Sequence, residues 1–352
     1  MKKTLLYART LCTLAFGLFT LAILPAQDIH FSQFGNSPIN LSPGLNGVFG
    51  GDLRFVGNYR NQWRTVPVPY TTFSGTLDNK FYYQKGRYDR YISGGVLLNY
   101  DRQGDLELTS LQIGIPISLT IPVAKNNFIT LGFTPAFGQR AFSTNRLSFD
   151  AQWQDCIYDP AADTREDQLF TSDNLQYFDL GAGLNFRTQS ARKRSRFDIG
   201  VGLHHINEPY HDFWSSTLSN PGEVRLQQKW SVYGLGLLQI ADNVDVAGQA
   251  LYQLQGGYRE VVYGLGMRFH LNRQPYHELS LQVGANFRHR YSDAILPQFE
   301  VNWRTWTLGL TYDVNLSDFT LATNRRGGPE VSLIYRLYRV KPVSVFKSCP
   351  LI

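Results

Sequence analysis

The densest group of chemically capable side chains is "HHINEPYHD", which sets His204, His205 and His211 beside Glu208 and Asp212. Imidazoles and carboxylates at that spacing could be zinc ligands or a fragment of a hydrolase site. Their position argues otherwise. They end a strand-like run, and neighbours on a strand point to opposite faces, so His204 and His205 cannot enter one site unless the chain bulges there. A hydrogen-bonded cluster at the base of a loop is the simpler reading. The glycine-rich "GLGLL" and "YGLGM" lack the strand-to-helix turn and following lysine or acid of a phosphate loop; such glycines relieve crowding within strands. The chain is therefore read as a non-enzyme, with no catalytic residue, metal ligand or cofactor site assigned.

The cysteines add little chemistry. Cys12 lies inside an N-terminal leader, leaving Cys156 and Cys349. Two thiols can form one bridge but not a stapled framework or a structural zinc site. The leader itself, "MKK" followed by an apolar stretch from Leu11 to Leu24 and then "LPAQ", reads as a signal peptide over residues 1–26. Its apolar run is shorter than the roughly 18 residues a spanning helix needs. Of the formal charge of +6, Lys2, Lys3 and Arg9 belong to that leader, leaving +3, too little to point to nucleic acid.

The remaining residues follow a grammar of period two. In "GDLRFVGNYRNQWR", Leu53, Phe55, Tyr59 and Trp63 fall on one side of an extended chain and Arg54, Asn58, Arg60, Gln62 and Arg64 on the other. Similar stretches recur: Leu279, Leu281, Val283, Ala285 and Phe287 oppose Ser280, Gln282, Gly284, Asn286 and Arg288. Aromatics are 14% and charged residues only 18%, against roughly 25% in an average soluble domain. The pattern predicts about 14 strands, an even number as in bacterial outer-membrane barrels. Their approximate spans are 52–64, 71–79, 90–100, 106–121, 127–138, 175–187, 196–206, 224–240, 243–256, 260–271, 277–288, 294–303, 305–315 and 329–340. No helical period competes.

A soluble sandwich would also alternate, with its polar face in water. Three features favour a membrane barrel instead. Many strands reach ten residues, whereas globular strands cluster nearer five or six. Aromatics such as Trp63, Trp230, Trp303 and Trp306 sit near strand ends, as interfacial girdles do. Closure alone leaves so many strands without an exposed edge. The fold expected is thus an all-β, antiparallel, transmembrane outer-membrane β-barrel over residues 52–340, preceded by a periplasmic or plug segment at 27–51 and followed by a periplasmic tail at 341–352. Its lumen would hold Arg54, Arg60, Arg187, Arg268, Arg288 and Arg336 among Asp78, Asp179, Asp198, Asp245, Glu300, Asp313 and Glu330. Placing the short connections in the periplasm puts the two longest, Gln139 to Asn174 and Asn207 to Glu223, outside. It also sets Cys156 and Cys349 at opposite ends, so no disulfide between them is expected.

Several strings go further. "DIHFSQFGNSPINLSPGLNGVFGGDLRFVGNYRNQWRTV", "VGLHHINEP", "WTLGLTYDVNLS" and the terminal "GGPEVSLIYRLYRVKPVSVFKSCPLI" together resemble the PorP/SprF family of the type IX secretion system of Bacteroidota. The likeness rests on Phe31, Ser32, Gln33 and Phe34, on Asn58, Tyr59, Arg60, Gln62 and Trp63, on Gly202, His205, Asn207 and Pro209, on Gly309, Tyr312, Asp313, Asn315 and Ser317, and on Cys349 and Pro350. "LSPGLNG" departs from the family's Asn-Pro-Ala pattern, and "CPLI" lacks its Arg-Phe ending. The resemblance implies an outer-membrane barrel of the translocon and gliding apparatus. Its implied partners are outer-membrane lipid, secreted cargo such as adhesins bearing a type IX C-terminal sorting domain, and periplasmic type IX machinery. The candidate contact residues for cargo are Trp153, Asp155 and Tyr158 in the first long loop and Tyr210, Phe213 and Trp214 in the second. The alternative is a porin-like or hydrophobic-solute diffusion channel.

Overall fold

The computed structural model describes residues 28–62, 70–83, 89–104, 107–142, 150–154, 157–159, 161–163, 174–211, 213, 224–289, 294–316 and 326–339. The leader, Trp63, Asp155, Cys156, Trp214, Cys349, Pro350 and the 341–352 tail lie outside the described residues.

Alternation in the sequence becomes a ring of staves. The strands are β1 (Leu53–Gln62), β2 (Tyr70–Phe81), β3 (Tyr91–Gln103), β4 (Leu108–Gly114), β5 (Ile117–Ala124), β6 (Asn127–Ala141), β7 (Trp153–Gln154), β8 (Ile157–Tyr158) and β9 (Asn174–Gln189). They continue as β10 (Arg196–His204), β11 (Lys229–Gln239), β12 (Val244–Gln255), β13 (Tyr258–Asn272), β14 (Leu279–His289), β15 (Ala294–Trp303), β16 (Trp306–Asn315) and β17 (Arg326–Leu337). Every barrel pairing is antiparallel, and β1 closes the ring on β17 with Arg54 opposite Arg336 and Arg60 opposite Glu330. β7 and β8 form a separate small hairpin.

The stave expected over 106–121 is interrupted at Ile115–Pro116 into β4 and β5, which share the same two neighbours, β3 and β6. Proline has no N–H to give the ladder. Its carbonyl still accepts from Gly95 N at 2.9 Å, and Ile115 N donates to Pro135 O at 2.9 Å, so the stave stays in place. Counting β4 and β5 as one gives fourteen staves in a closed antiparallel barrel.

Burial follows the alternation. On β1, Phe55 and Tyr59 are exposed on the outer face while Arg54, Asn58 and Arg60 are buried inside. Outward-facing Phe73, Leu77, Ile113, Leu131, Phe178, Leu265, Val283 and Leu310 extend the apolar belt around the ring. Trp306 packs on Tyr335 with ring centroids 4.4 Å apart at the end bearing the 304–305 turn. That end carries the connections 82–90, 125–126, 190–195, 240–243, 273–278 and 304–305; the opposite end carries 142–173 and 205–228.

Residues 28–51 run inside this ring. Asp28 meets Lys229 and Gln255 at the long-loop end, and Asp52 accepts from Arg339 N at the short-turn end. Between them lie two 3₁₀ turns, Phe34–Asn36 and Pro43–Leu45, and a four-residue helical turn, Pro38–Leu41. Nearly every side chain from Phe31 to Phe49 is buried. Among the described residues no helix is long and apolar enough to cross a membrane.

The lumen is not uniformly polar, contrary to the expectation drawn from alternation. Tyr233, Leu251, Val262, Ala294 and Leu296 face inward as an apolar patch, and Phe34, Leu41, Leu45 and Val48 of the threaded segment pack on it. Burying such side chains is worth roughly 1.5–3 kcal/mol each. On β11 the inward positions are Tyr233, Leu235 and Leu237, while the outward ones include Gly234 and Gly236. That inversion is visible in the sequence but reads as a lipid-facing strand until the threaded segment is known.

Candidate functional site

Three groups of contacts hold the segment. The first is a knot near the long-loop end, where Ser32 and Gln33 meet β16 and β17. The backbone N–H groups of Ser32 and Gln33 donate to the two carboxylate oxygens of Glu330 at 2.7 and 2.8 Å. Ser32 Oγ donates to Asp313 Oδ1 at 2.7 Å and accepts from Arg288 Nη2 at 2.8 Å. Arg60 Nη2 donates to Asp313 Oδ2 at 2.8 Å and Nη1 to the His30 carbonyl at 2.6 Å. Arg288 is shared with Glu260, 2.9 Å away. Arg60, Asp313, Glu260 and Glu330 are all at most 2% exposed. Buried charges at such depth persist only when paired and hydrogen-bonded.

The second group is a latch on Asp28. Lys229 Nζ donates to its carboxylate at 2.6 Å, and His205 Nε2 lies 3.2 Å from the same oxygen. The other ring nitrogen of His205 lies 3.0 Å from Asp179 Oδ2. His205 follows β10 with φ = 59°, a left-handed turn uncommon outside glycine. This turn is the bulge-like departure that brings both His204 and His205 inward, which alternation alone did not anticipate. Burial by itself would lower the His205 pKa, but the carboxylates of Asp28 and Asp179 outweigh it and raise it to about 9. Burial would raise Asp28, yet Lys229 and His205 hold it well below the usual carboxylate range.

The third group lies toward the short-turn end. Arg54 forms a two-pronged pair with Asp78, with Nε and Nη2 at 2.9 and 2.6 Å, and Asp78 also accepts from Gly47 N at 2.8 Å. Arg187 pairs with Asp198 in the same manner. Lys80 Nζ donates to the Phe49 carbonyl at 2.6 Å, 4.5 Å above that ring.

Close approach of backbone to wall explains the lumen glycines. Gly132, Gly183 and Gly202 lie side by side across β6, β9 and β10. A Cβ at these positions would come within 2.0 Å of Pro43 O, 2.3 Å of Ser42 Oγ and 2.4 Å of Leu41 O respectively. Only glycine lets the turn lie on the sheet.

The histidines do not converge. His204 faces the lumen, His205 joins the latch, and the ring of His211 lies 2.9 Å from Arg140 Nη1 and 5.5 Å from Tyr177. Burial and the neighbouring guanidinium lower the His211 pKa to about 3, so the ring is neutral. Among the described residues no three His, Cys, Asp or Glu side chains could hold a metal ion.

The motif residues separate by face. Phe31, Ser32, Gln33 and Arg60 meet in or beside the knot; Asn58 Nδ2 donates to the Asn36 carbonyl at 3.2 Å. Gln62 Nε2 approaches Asp313 at 3.4 Å, whereas Tyr59 faces outward at 44% exposure. Asn207 clips the second long loop to β9, accepting from Leu180 N at 3.0 Å and donating to Phe178 O at 2.7 Å. At the long-loop end the rings of Trp153 and Tyr158 lie 5.2 Å apart, tilted to one another, on the β7–β8 hairpin, both exposed. Tyr210 is exposed beneath Arg225, and Phe213 packs edge-on against Phe142 at 5.0 Å.

Residues 23–335 match the family described as type IX secretion system membrane protein PorP/SprF. No curated protein matches the chain. Among solved structures, the CymD monoaromatic hydrocarbon channel is similar over 89% of this chain and 95% of its own, at 12% identity and a TM-score of 0.49. BamA from Haemophilus ducreyi lacking POTRA domains 1–3 aligns over 81% and 70%, at 10% identity and a TM-score of 0.41. The translocator domain of autotransporter NalP from Neisseria meningitidis aligns over 86% and 95%, at 10% identity and a TM-score of 0.34. These likenesses are of fold alone.

Proposed function

The chain belongs to the PorP/SprF family of type IX secretion system membrane proteins, and from that premise we propose that it works as a docking barrel rather than a conduit. Its long-loop end would face outward and hold a secreted cargo protein, such as an adhesin with a C-terminal sorting domain. Its short-turn end would meet the periplasmic secretion machinery. The observation that carries this reading is the threaded segment: Phe31 to Phe49 run buried through the lumen and are tied to its wall by buried ion pairs and hydrogen bonds. A diffusion channel needs a wet, continuous path, and this segment stands across it. Exposed Trp153, Tyr158 and Tyr210 supply the amphipathic aromatic surface that protein contacts favour.

Affinity isolation of the tagged barrel from cells in mild detergent tests the proposal. A secreted protein with a sorting domain should co-purify, and its recovery should fall several-fold in a Trp153→Ala, Tyr158→Ala, Tyr210→Ala triple variant. Recovery of the barrel with no secreted protein would count against docking.

A further inference from the structure

Beside the threaded segment, against its Gly35, Pro38, Leu45 and Phe49, the lumen keeps a cavity of about 320 Å³ that reaches the short-turn end. Its walls carry Arg54, Arg187, Arg196, Arg268 and Arg336, contributed by five different strands. Three of these guanidiniums have their own carboxylates: Arg54 has Asp78, Arg187 has Asp198, and Arg268 has Glu300 at 2.8 Å. Asp245, next to Arg268 across the ladder, is taken up by Arg194 and His270. Among the described residues Arg196 and Arg336 have no carboxylate within ion-pair distance; the Arg336 guanidinium donates to Thr307 Oγ1 at 3.0 Å. Arg196 is exposed within the cavity mouth, beside exposed Gly50 and Tyr338.

Two arginines without counter-charge facing one recess repel each other and the paired guanidiniums around them. An incoming anion relieves that repulsion. Guanidinium geometry suits the planar fork of a carboxylate, and Phe49, Leu237 and Ile334 give the same recess apolar wall. The space exceeds what one small oxyanion fills and lies in the range of pockets that take several groups at once. We propose that this vestibule receives acidic side chains of a second protein, an Asp/Glu-rich segment that enters from the short-turn end and pairs with Arg196 and Arg336. The inference rests on the docking reading only for the side of the membrane this end faces.

Binding to purified full-length barrel in detergent tests it, independently of cargo recovery. A short fluorescent peptide of alternating Asp and Glu should bind, with affinity that falls as salt rises, and its Asn/Gln counterpart should not. Arg196→Gln and Arg336→Gln should each weaken binding about ten-fold, Arg196→Lys less, and Arg225→Gln at the far end not at all. Heat-modifiable gel migration identifies variants that remain assembled. Undiminished binding in an assembled Arg196→Gln, Arg336→Gln double variant would overturn the proposal. So would displacement of the peptide by inorganic phosphate at equal molarity, which would make the recess a site for free oxyanions.

Discussion

His205 touches three chain segments at once: its own strand end, Asp179 on β9 and Asp28 on the threaded segment. Its raised pKa makes the latch pH-dependent with a defined sign. A histidine raised from 6.5 to about 9 on folding contributes stability that is complete below the unfolded value and disappears as pH rises through the folded one. Asp28, held below its ordinary value, contributes above the usual carboxylate range and fails only in acid. The barrel should therefore lose resistance to urea between about pH 6.5 and 9, by an amount on the order of 3 kcal/mol at most. His205→Gln should flatten that dependence while leaving a lower, pH-insensitive midpoint. A wild-type midpoint that is level across this window would show that the imidazolium does not support the latch. The motif strings around Ser32, Arg60 and His205 were legible as a set, but nothing in their spacing said that they meet one another. Ser32 and Glu330 are almost the whole chain apart.

Among the elements, the cross-strand glycines on β6, β9 and β10 decide where the segment lies. Gly183, the middle one of the three, is a direct test because its added Cβ would meet Ser42 Oγ at 2.3 Å and Gly44 N at 2.6 Å. Gly183→Val should leave strand pairing intact, since valine suits strands, yet drive the Leu41–Gly44 turn off the wall. Overpacking of this kind costs about 1–3 kcal/mol, and limited proteolysis should then cut within residues 28–49 while the barrel remains protected. Equal protease resistance in wild type and variant would mean that the turn adapts without leaving. Strand identity itself was readable from residues such as Phe55 and Tyr59 set against Arg54 and Arg60, because one face meets lipid and the other does not. The interruption at Pro116 was also written in the sequence, though the alternation runs through it without a change of phase.

On the scale of the whole molecule, ring closure between β1 and β17 leaves the barrel sheet without an edge, and the threaded segment crosses the lumen that closure encloses. Purified protein in planar bilayers should show no large steady conductance, and Gly183→Val should raise it by dislodging the segment. A large, stable current from the wild type would favour the diffusion-channel alternative. Long connections at one end and short turns at the other give the barrel two chemically different rims. One rim presents exposed aromatics on a hairpin, the other a basic recess.

The amino-acid sequence by itself determined the closed, antiparallel, lipid-facing barrel and the family, because period-two alternation and local motif strings survive without knowledge of any distant contact. Tertiary structure alone decided what fills the lumen. Whether residues 28–51 thread the ring or lie beneath it depends on buried pairs such as Ser32 with Glu330, on an apolar patch that mimics a lipid face, and on glycines whose missing side chains are matched by backbone far away in the chain. Each of those is a long-range coincidence of shape and charge, and local spacing carries no record of it.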